Sequence, residues 1–339
     1  MKNISIILLL LAFSTAQATI RRVNNNAGIE LVSGLVYSSF DAAYADAVNG
    51  DTLYIEPSVT NYTVGNPLTK RLVVIGDAYQ KGPNNSLQSP LSFSLNESVL
   101  ANNFSVDSGA ENSAFYGIRF FHIVTVNCQN VLFKRCSFTG SNAQSLNING
   151  SANLVEQCYF HLGGGGHSDI SGTGSGNIFR NCIFSDIFLN QKNPIVDQCI
   201  LGGVQNVVNG TFSNCIVGTN TYSPGTNSTF TNCLKIGAAF NAPGSNNIEN
   251  AAFADVFISG TDNNGNPFDS QFDKEFRLKA ASLAENVGTS GQDLGPFDGA
   301  DPYRLSGQPP VPVITNFYLE TTGSSSSGIN GSITIQANN

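Results

Sequence analysis

Two of the three histidines in this 339-residue chain fall in one short stretch, His161-Leu162-Gly163-Gly164-Gly165-Gly166-His167-Ser168-Asp169. Imidazoles move protons near neutral pH, a carboxylate can work beside them as acid or base, and four glycines admit close approach by a ligand. With Arg180 from the following repeat, the candidate catalytic set is His161, His167, Asp169 and Arg180, and Lys134 and Arg135 stand at related repeat positions. The plainer reading of the same residues is a solvated loop between two repeats, since histidines close in sequence need not share a task.

A second group, Asp262, Asn264 and Asn266, sets oxygen ligands at alternate positions as calcium loops do. Its glycine is misplaced for such a loop and no bidentate Glu follows at the right distance, so a simple Asn-Gly bend is the competing reading. No other cofactor is expected, and the cysteine spacing lacks the paired, converging ligands that zinc requires. A lyase acting on uronates needs a base plus a cation or Arg to neutralise the carboxylate, and a glycosidase needs two or three clustered acids. Neither set stands together in the sequence.

The elements that must carry these residues are repeats. Six of the seven cysteines sit in one recurring phrase, beginning Phe133-Lys134-Arg135-Cys136-Ser137-Phe138 and Val155-Glu156-Gln157-Cys158-Tyr159-Phe160. It recurs around Cys182, Cys199, Cys215 and Cys233, and without the cysteine around Ile118 and Ala251, at intervals of 18, 22, 24, 17, 16, 18 and 18 residues. Short β-rich runs between Gly, Asn and Ser clusters at this period indicate a parallel β-helix, not a helical repeat. The fold class is therefore all-β: a right-handed parallel β-helix with a short N-terminal capping helix and a C-terminal β-hairpin tail.

Within the phrase, the first apolar residue, the cysteine and the apolar residue two beyond it point inward, with a two-residue corner between the first two. The second corner position is usually Asn, Gln or Gly, and these side chains are expected to stack from Gln157 to Asn250. The first corner position reads Lys134, Glu156, Arg180, Asp197, alternating in sign, and cross-coil ion pairing explains it more simply than a charged site. The position after the cysteine reads Ile183, Ile200, Ile216, Leu234 and faces outward, so it needs a cover, for which the C-terminal segment is the expected source. Buried thiols are favoured over disulfides for the cysteines, since parallel Cβ vectors suit stacking.

Residues 1–18 read as a signal peptide, with Lys2, an apolar run from Ile4 to Phe13 and a cleavage site at Ala16-Gln17-Ala18. Beyond it the expected divisions are an N-terminal cap and irregular coils over 19–112, regular coils over 113–258, a C-terminal cap over 259–314, and a hairpin tail over 315–339. A short helix around Ser39–Val48 begins the cap, with Ser38 or Ser39 as its N-cap. A formal charge of −8 and no basic stripe argue against nucleic acid as a partner. No second long apolar run follows the leader, so no membrane span is expected. An acidic uronate polymer would be repelled without calcium or a basic patch, whereas a neutral glycan would not.

The stretch Ser39-Phe40-Asp41-Ala42-Ala43 … Asn49-Gly50-Asp51-Thr52-Leu53-Tyr54-Ile55 is similar to the N-terminal cap of secreted bacterial right-handed β-helix proteins. Phe276-Arg277-Leu278 … Gly288 … Asp293-Leu294-Gly295-Pro296-Phe297 resembles their terminal motif. The resemblance to this pectate-lyase-like superfamily implies a secreted or surface β-helix, and the superfamily holds polysaccharide-processing enzymes as well as proteins without known activity. Three functions follow as expectations: a non-catalytic scaffold binding polysaccharide or a cell-surface protein along its faces, a polysaccharide lyase or glycosidase, or a structural segment of an adhesin. A flat face of Asn, Ser and Thr would favour the binder, and an aromatic, acidic groove beside the histidine loop would favour the enzyme.

Overall fold

A left-handed residue turns the chain at the cysteine corner of the coils. In the cysteine phrase, positive φ falls at Arg135 (55°), Gln157 (55°), Asn181 (48°), Gln198 (51°), Asn214 (54°) and Asn232 (50°). Asn suits this backbone because its short polar side chain bonds locally, which offsets the crowding that L-residues meet there. The two-residue corner falls one position later than expected, at Arg135-Cys136 and its equivalents, because the left-handed residue that redirects the chain comes first in it. The preceding strands accordingly run one position further than expected, as in Leu132–Lys134, Leu154–Glu156 and Ile178–Arg180.

The computed structural model describes residues 18–65, 67–80, 96–139, 144–161, 168–258, 268, 272–307, 313–320, 322–323 and 328–336. The expected leader lies almost wholly outside these, as do His167, Asp262, Asn264 and Asn266. Among the described residues the coils build one 12-stranded and one 14-stranded sheet. Their strands pair in parallel, coil upon coil. Together with the likeness reported below, this makes the chain a right-handed parallel β-helix. Each central coil gives one strand to the 12-stranded sheet and two to the other, for example Ser137–Phe138 and Gln144–Ile148, so the solenoid has three faces.

Inward residues stack along the axis. Phe138, Phe160 and Phe184 lie ring on ring at 4.5 and 4.6 Å, and Phe115 and Phe133 at 4.9 Å. Each such pair adds about 0.5–1.5 kcal/mol beyond the burial of its area. All seven cysteines are buried free thiols, and the N–H groups of Cys136, Cys158 and Cys182 each lie 3.4 Å from the sulfur one coil on. Burial pushes the thiols of Cys136, Cys182, Cys199, Cys215 and Cys233 well above their ordinary range, so they are inert as nucleophiles.

The helix forms over Phe40–Asp46 with Ser39 accepting from the Ala42 N–H at 3.3 Å, and it buries Phe40, Ala43 and Tyr44 over the first coils. Lys70 Nζ satisfies carbonyls at its other end, those of Tyr44 at 2.7 Å and Ala47 at 2.8 Å. The irregular stretch before the regular coils contains strands Val99–Leu100 and Phe104–Val106, which stack as a coil.

The stretch expected to cap the C-terminal end instead doubles back along the side. Ile183, Ile200, Ile216 and Leu234 are fully buried in a second apolar cluster with Phe257, Phe276, Leu294 and Tyr303. The corner amides expected to stack on one another bond this strap instead. Gln157 donates to the carbonyls of Asp301 at 2.9 Å and Pro302 at 2.7 Å, Asn181 to those of Pro296 and Asp298, and Asn232 to Thr289 Oγ1 at 2.9 Å. The left-handed corner aims these side chains outward, where irregular strap backbone must be satisfied. Amides that do bond coil to coil sit at the opposite turn: Asn153 donates to Asn177 Oδ1 at 3.2 Å and Asn177 to Gln191 Oε1 at 3.0 Å. The tail hairpin pairs Val313–Leu319 antiparallel with Gly331–Gln336. No helix among the described residues is long and apolar enough to cross a membrane.

Candidate functional site

His161 follows the strand Tyr159–Phe160, its N–H bonded to the Phe138 carbonyl at 2.9 Å. Its Nδ1 lies 3.3 Å from Ser185 Oγ, and its ring stacks 6.2 Å from that of Tyr159. Burial, and then the Arg119 charge, hold its pKa below the usual histidine value, so it is neutral at pH 7.

Asp169, on the strand Ser168–Ser171, is completely buried. One carboxylate oxygen accepts from the Asp186 N–H at 2.7 Å, and the other has no partner. Burial raises its pKa well above the carboxylate range, the Asp186 N–H opposes this, and the Asp186 charge adds to the rise. Asp186 itself is only 4% exposed. Sequence reasoning missed this second acid, although it stands 17 residues from Asp169, one coil interval away.

Arg180 does not join this group. It ends the strand Ile178–Arg180 in the 12-stranded sheet, exposed to solvent, whereas His161 and Asp169 belong to the other side of the coil corner. Lys134 is held by Glu156 at 2.8 Å and Asp301 at 2.5 Å, and Arg135 serves as a corner residue. The expected set is therefore divided between two sheets, because residues on opposite sides of a corner diverge however close in sequence. Among the described residues no group of three or more His, Cys, Asp or Glu side chains could hold a metal ion.

A different surface gathers polar groups in order. On the third face, Ser105, Thr125 and Asn147 stand on successive rungs and face outward, half-exposed. Beside them Asn127 donates to Asp107 Oδ1 at 2.7 Å and Asn149 to Asn127 Oδ1 at 2.9 Å. Near the N-terminal end this face is indented by a cleft of about 450 Å³. Its lining joins Asn103, Ser105 and Thr125 to the apolar Val64, Pro67, Phe104 and Ile123. Asp41 braces its rim, accepting from the Gly65 N–H at 3.0 Å. The signal for this face was the coil interval, since 105, 125, 147 and 171 are spaced like the cysteines. Without the coil geometry, nothing distinguished these residues from ordinary turn polar residues.

No family model matches the chain, and no curated protein matches it in sequence. Among solved structures it is similar to pectate lyase Pel9A, with a TM-score of 0.52 and 16% identity, covering 86% of this chain and 96% of that one. A pectin methylesterase structure aligns at a TM-score of 0.35 and 15% identity, over 85% of this chain and 100% of that one. The first likeness establishes a pectate-lyase-like β-helix fold and, at this identity, the fold alone.

Proposed function

We propose that the protein is a non-catalytic β-helix scaffold, acting outside the cell, that binds a neutral polysaccharide along its third face. The carrying observation is the run of Ser105, Thr125 and Asn147 beside the Asp107–Asn127–Asn149 amide row, leading into the mixed polar and apolar cleft. Hydroxyl and amide groups both donate and accept, as sugar hydroxyls do, and the apolar lining suits the C–H faces of sugar rings. Rungs about 4.8 Å apart repeat on the scale of one sugar unit. The charged groups beside the face, Asp41 and Asp107, are acidic and disfavour uronates.

The test is a binding panel of neutral and uronate polysaccharides, with and without calcium, followed in parallel for reducing ends and unsaturated products. Binding to a neutral glycan without product, weakened at least tenfold by Thr125→Arg with an unchanged melting temperature, is the expected outcome. Product formation abolished by His161→Ala would overturn it in favour of a lyase or hydrolase. That second reading draws on the adjacency of Asp169 and Asp186 and on the fold, but Asp169 is sealed from any substrate in this conformation.

A further inference from the structure

The outer face of the 12-stranded sheet carries two columns that its solvent exposure does not explain. Register places Leu132, Leu154, Ile178 and Ile195 on successive rungs, all outward-facing, with Ile195 45% exposed. Two residues along the same strands run Lys134, Glu156, Arg180 and Asp197. The rungs hold this register without a bulge through all four coils. The equivalent aliphatic column on the second sheet lies under the strap, whereas Leu132, Leu154, Ile178 and Ile195 belong to neither buried apolar cluster of the described residues.

We propose that this face docks against the same face of a second copy of the chain, about a two-fold axis parallel to the strands and midway between the Glu156 and Arg180 rungs. Such an axis preserves position along a strand and reverses the order of coils. Aliphatic column meets aliphatic column, Leu154 against the second copy's Ile178 and Leu132 against its Ile195. In the charged column Glu156 meets Arg180, and Lys134, which also pairs with Glu156 and Asp301 of its own chain, meets Asp197, so each charge faces the opposite sign across the axis.

The sign alternation also selects against other registers. Moving the axis half a coil, onto the Glu156 rung, sets Glu156 against itself and Lys134 against Arg180. An axis along the solenoid instead lays charges on aliphatics, which would desolvate them without partners. Arg180, exposed and in no ion pair with a described residue, keeps its guanidinium for the partner. A strip about 10 Å wide over eight coils at about 4.8 Å covers roughly 400 Å² per copy, less than most specific interfaces bury, so the dimer should be weak, in the range of tens to hundreds of micromolar.

Sedimentation velocity on the full chain, from about 1 to a few hundred micromolar, tests this. A monomer–dimer equilibrium is expected. Arg180→Glu should weaken it at least tenfold, and Glu156→Arg together with Arg180→Glu should restore it, since both copies then exchange signs at once. Ile178→Lys should abolish it while leaving the circular dichroism and melting temperature within a few degrees of the parent. A monomer at every concentration, or a dimer indifferent to Ile178→Lys and Arg180→Glu, would overturn the proposal.

Discussion

Lys235 occupies an inward slot that Phe160, Phe184, Leu201 and Val217 fill in earlier coils, and it is 1% exposed. Its ammonium donates to the carbonyls of Gly218 at 2.6 Å and Ile236 at 2.9 Å and lies 5.0 Å from the Tyr222 ring centroid. Burial lowers its pKa to about 8. A folded value below the unfolded lysine value of about 10.4 means that the folded state gives up its proton first. Stability should therefore rise as pH increases from about 8 to about 10.4, the full penalty applying below that window. Lys235→Met should remove the rise and stabilise the protein at pH 7 by up to about 3 kcal/mol, read from urea midpoints at pH 7 and 10. Asp169 acts with the opposite sign. Its folded pKa is raised, so its contribution is most favourable below the unfolded value of about 3.9 and is lost as pH rises toward the folded one. Asp169→Asn should raise the melting temperature at neutral pH and change it little at pH 3; an unchanged or lower melting temperature at neutral pH would show that the buried carboxyl carries no such penalty.

The corner residues make their contribution between elements. Asn181 adopts φ 48° and donates to the Pro296 and Asp298 carbonyls at 3.1 and 3.2 Å, so Asn181→Ala loses both a tolerant backbone and two bonds to the strap. A loss of about 2 kcal/mol is expected, with Asn181→Gly recovering part of it by relieving only the backbone. Equal urea midpoints for the Ala and Gly variants would show that the bonds, not the turn, set the cost. The coil phrase, its inward residues and its Asn- and Gln-rich corner were legible in the sequence because each coil repeats the same local demands. The destination of the corner amides was not, because position within a repeat does not reveal which distant segment lies opposite. The same limit hid the pairing of Asp169 with Asp186 and divided Arg180 from His161. Those outcomes depend on which side of a tight bend a side chain falls.

At the scale of the whole molecule, removing residues 272–339 should uncover Ile183, Ile200, Ile216 and Leu234 together. Increased binding of an apolar dye, with far-ultraviolet circular dichroism still showing β-structure, is the expected result; no change in dye binding would mean that another segment covers the stripe. The strap also links points far apart along the axis. Tyr303 bonds Tyr79 at 2.7 Å across 224 residues of sequence and donates to Asp273, while Thr289 accepts from Asn232 near the other end. A plain stack of coils could fray from either end, each unit held only by its neighbours. Because the ends of this stack share one tie, losing either end costs contacts at the other, and unfolding should become closer to all-or-none. The tie also leaves the ribosome after every coil it covers, so the aliphatic side of the nascent coils stays open until the strap has been made, and the stack reaches its final stability only then.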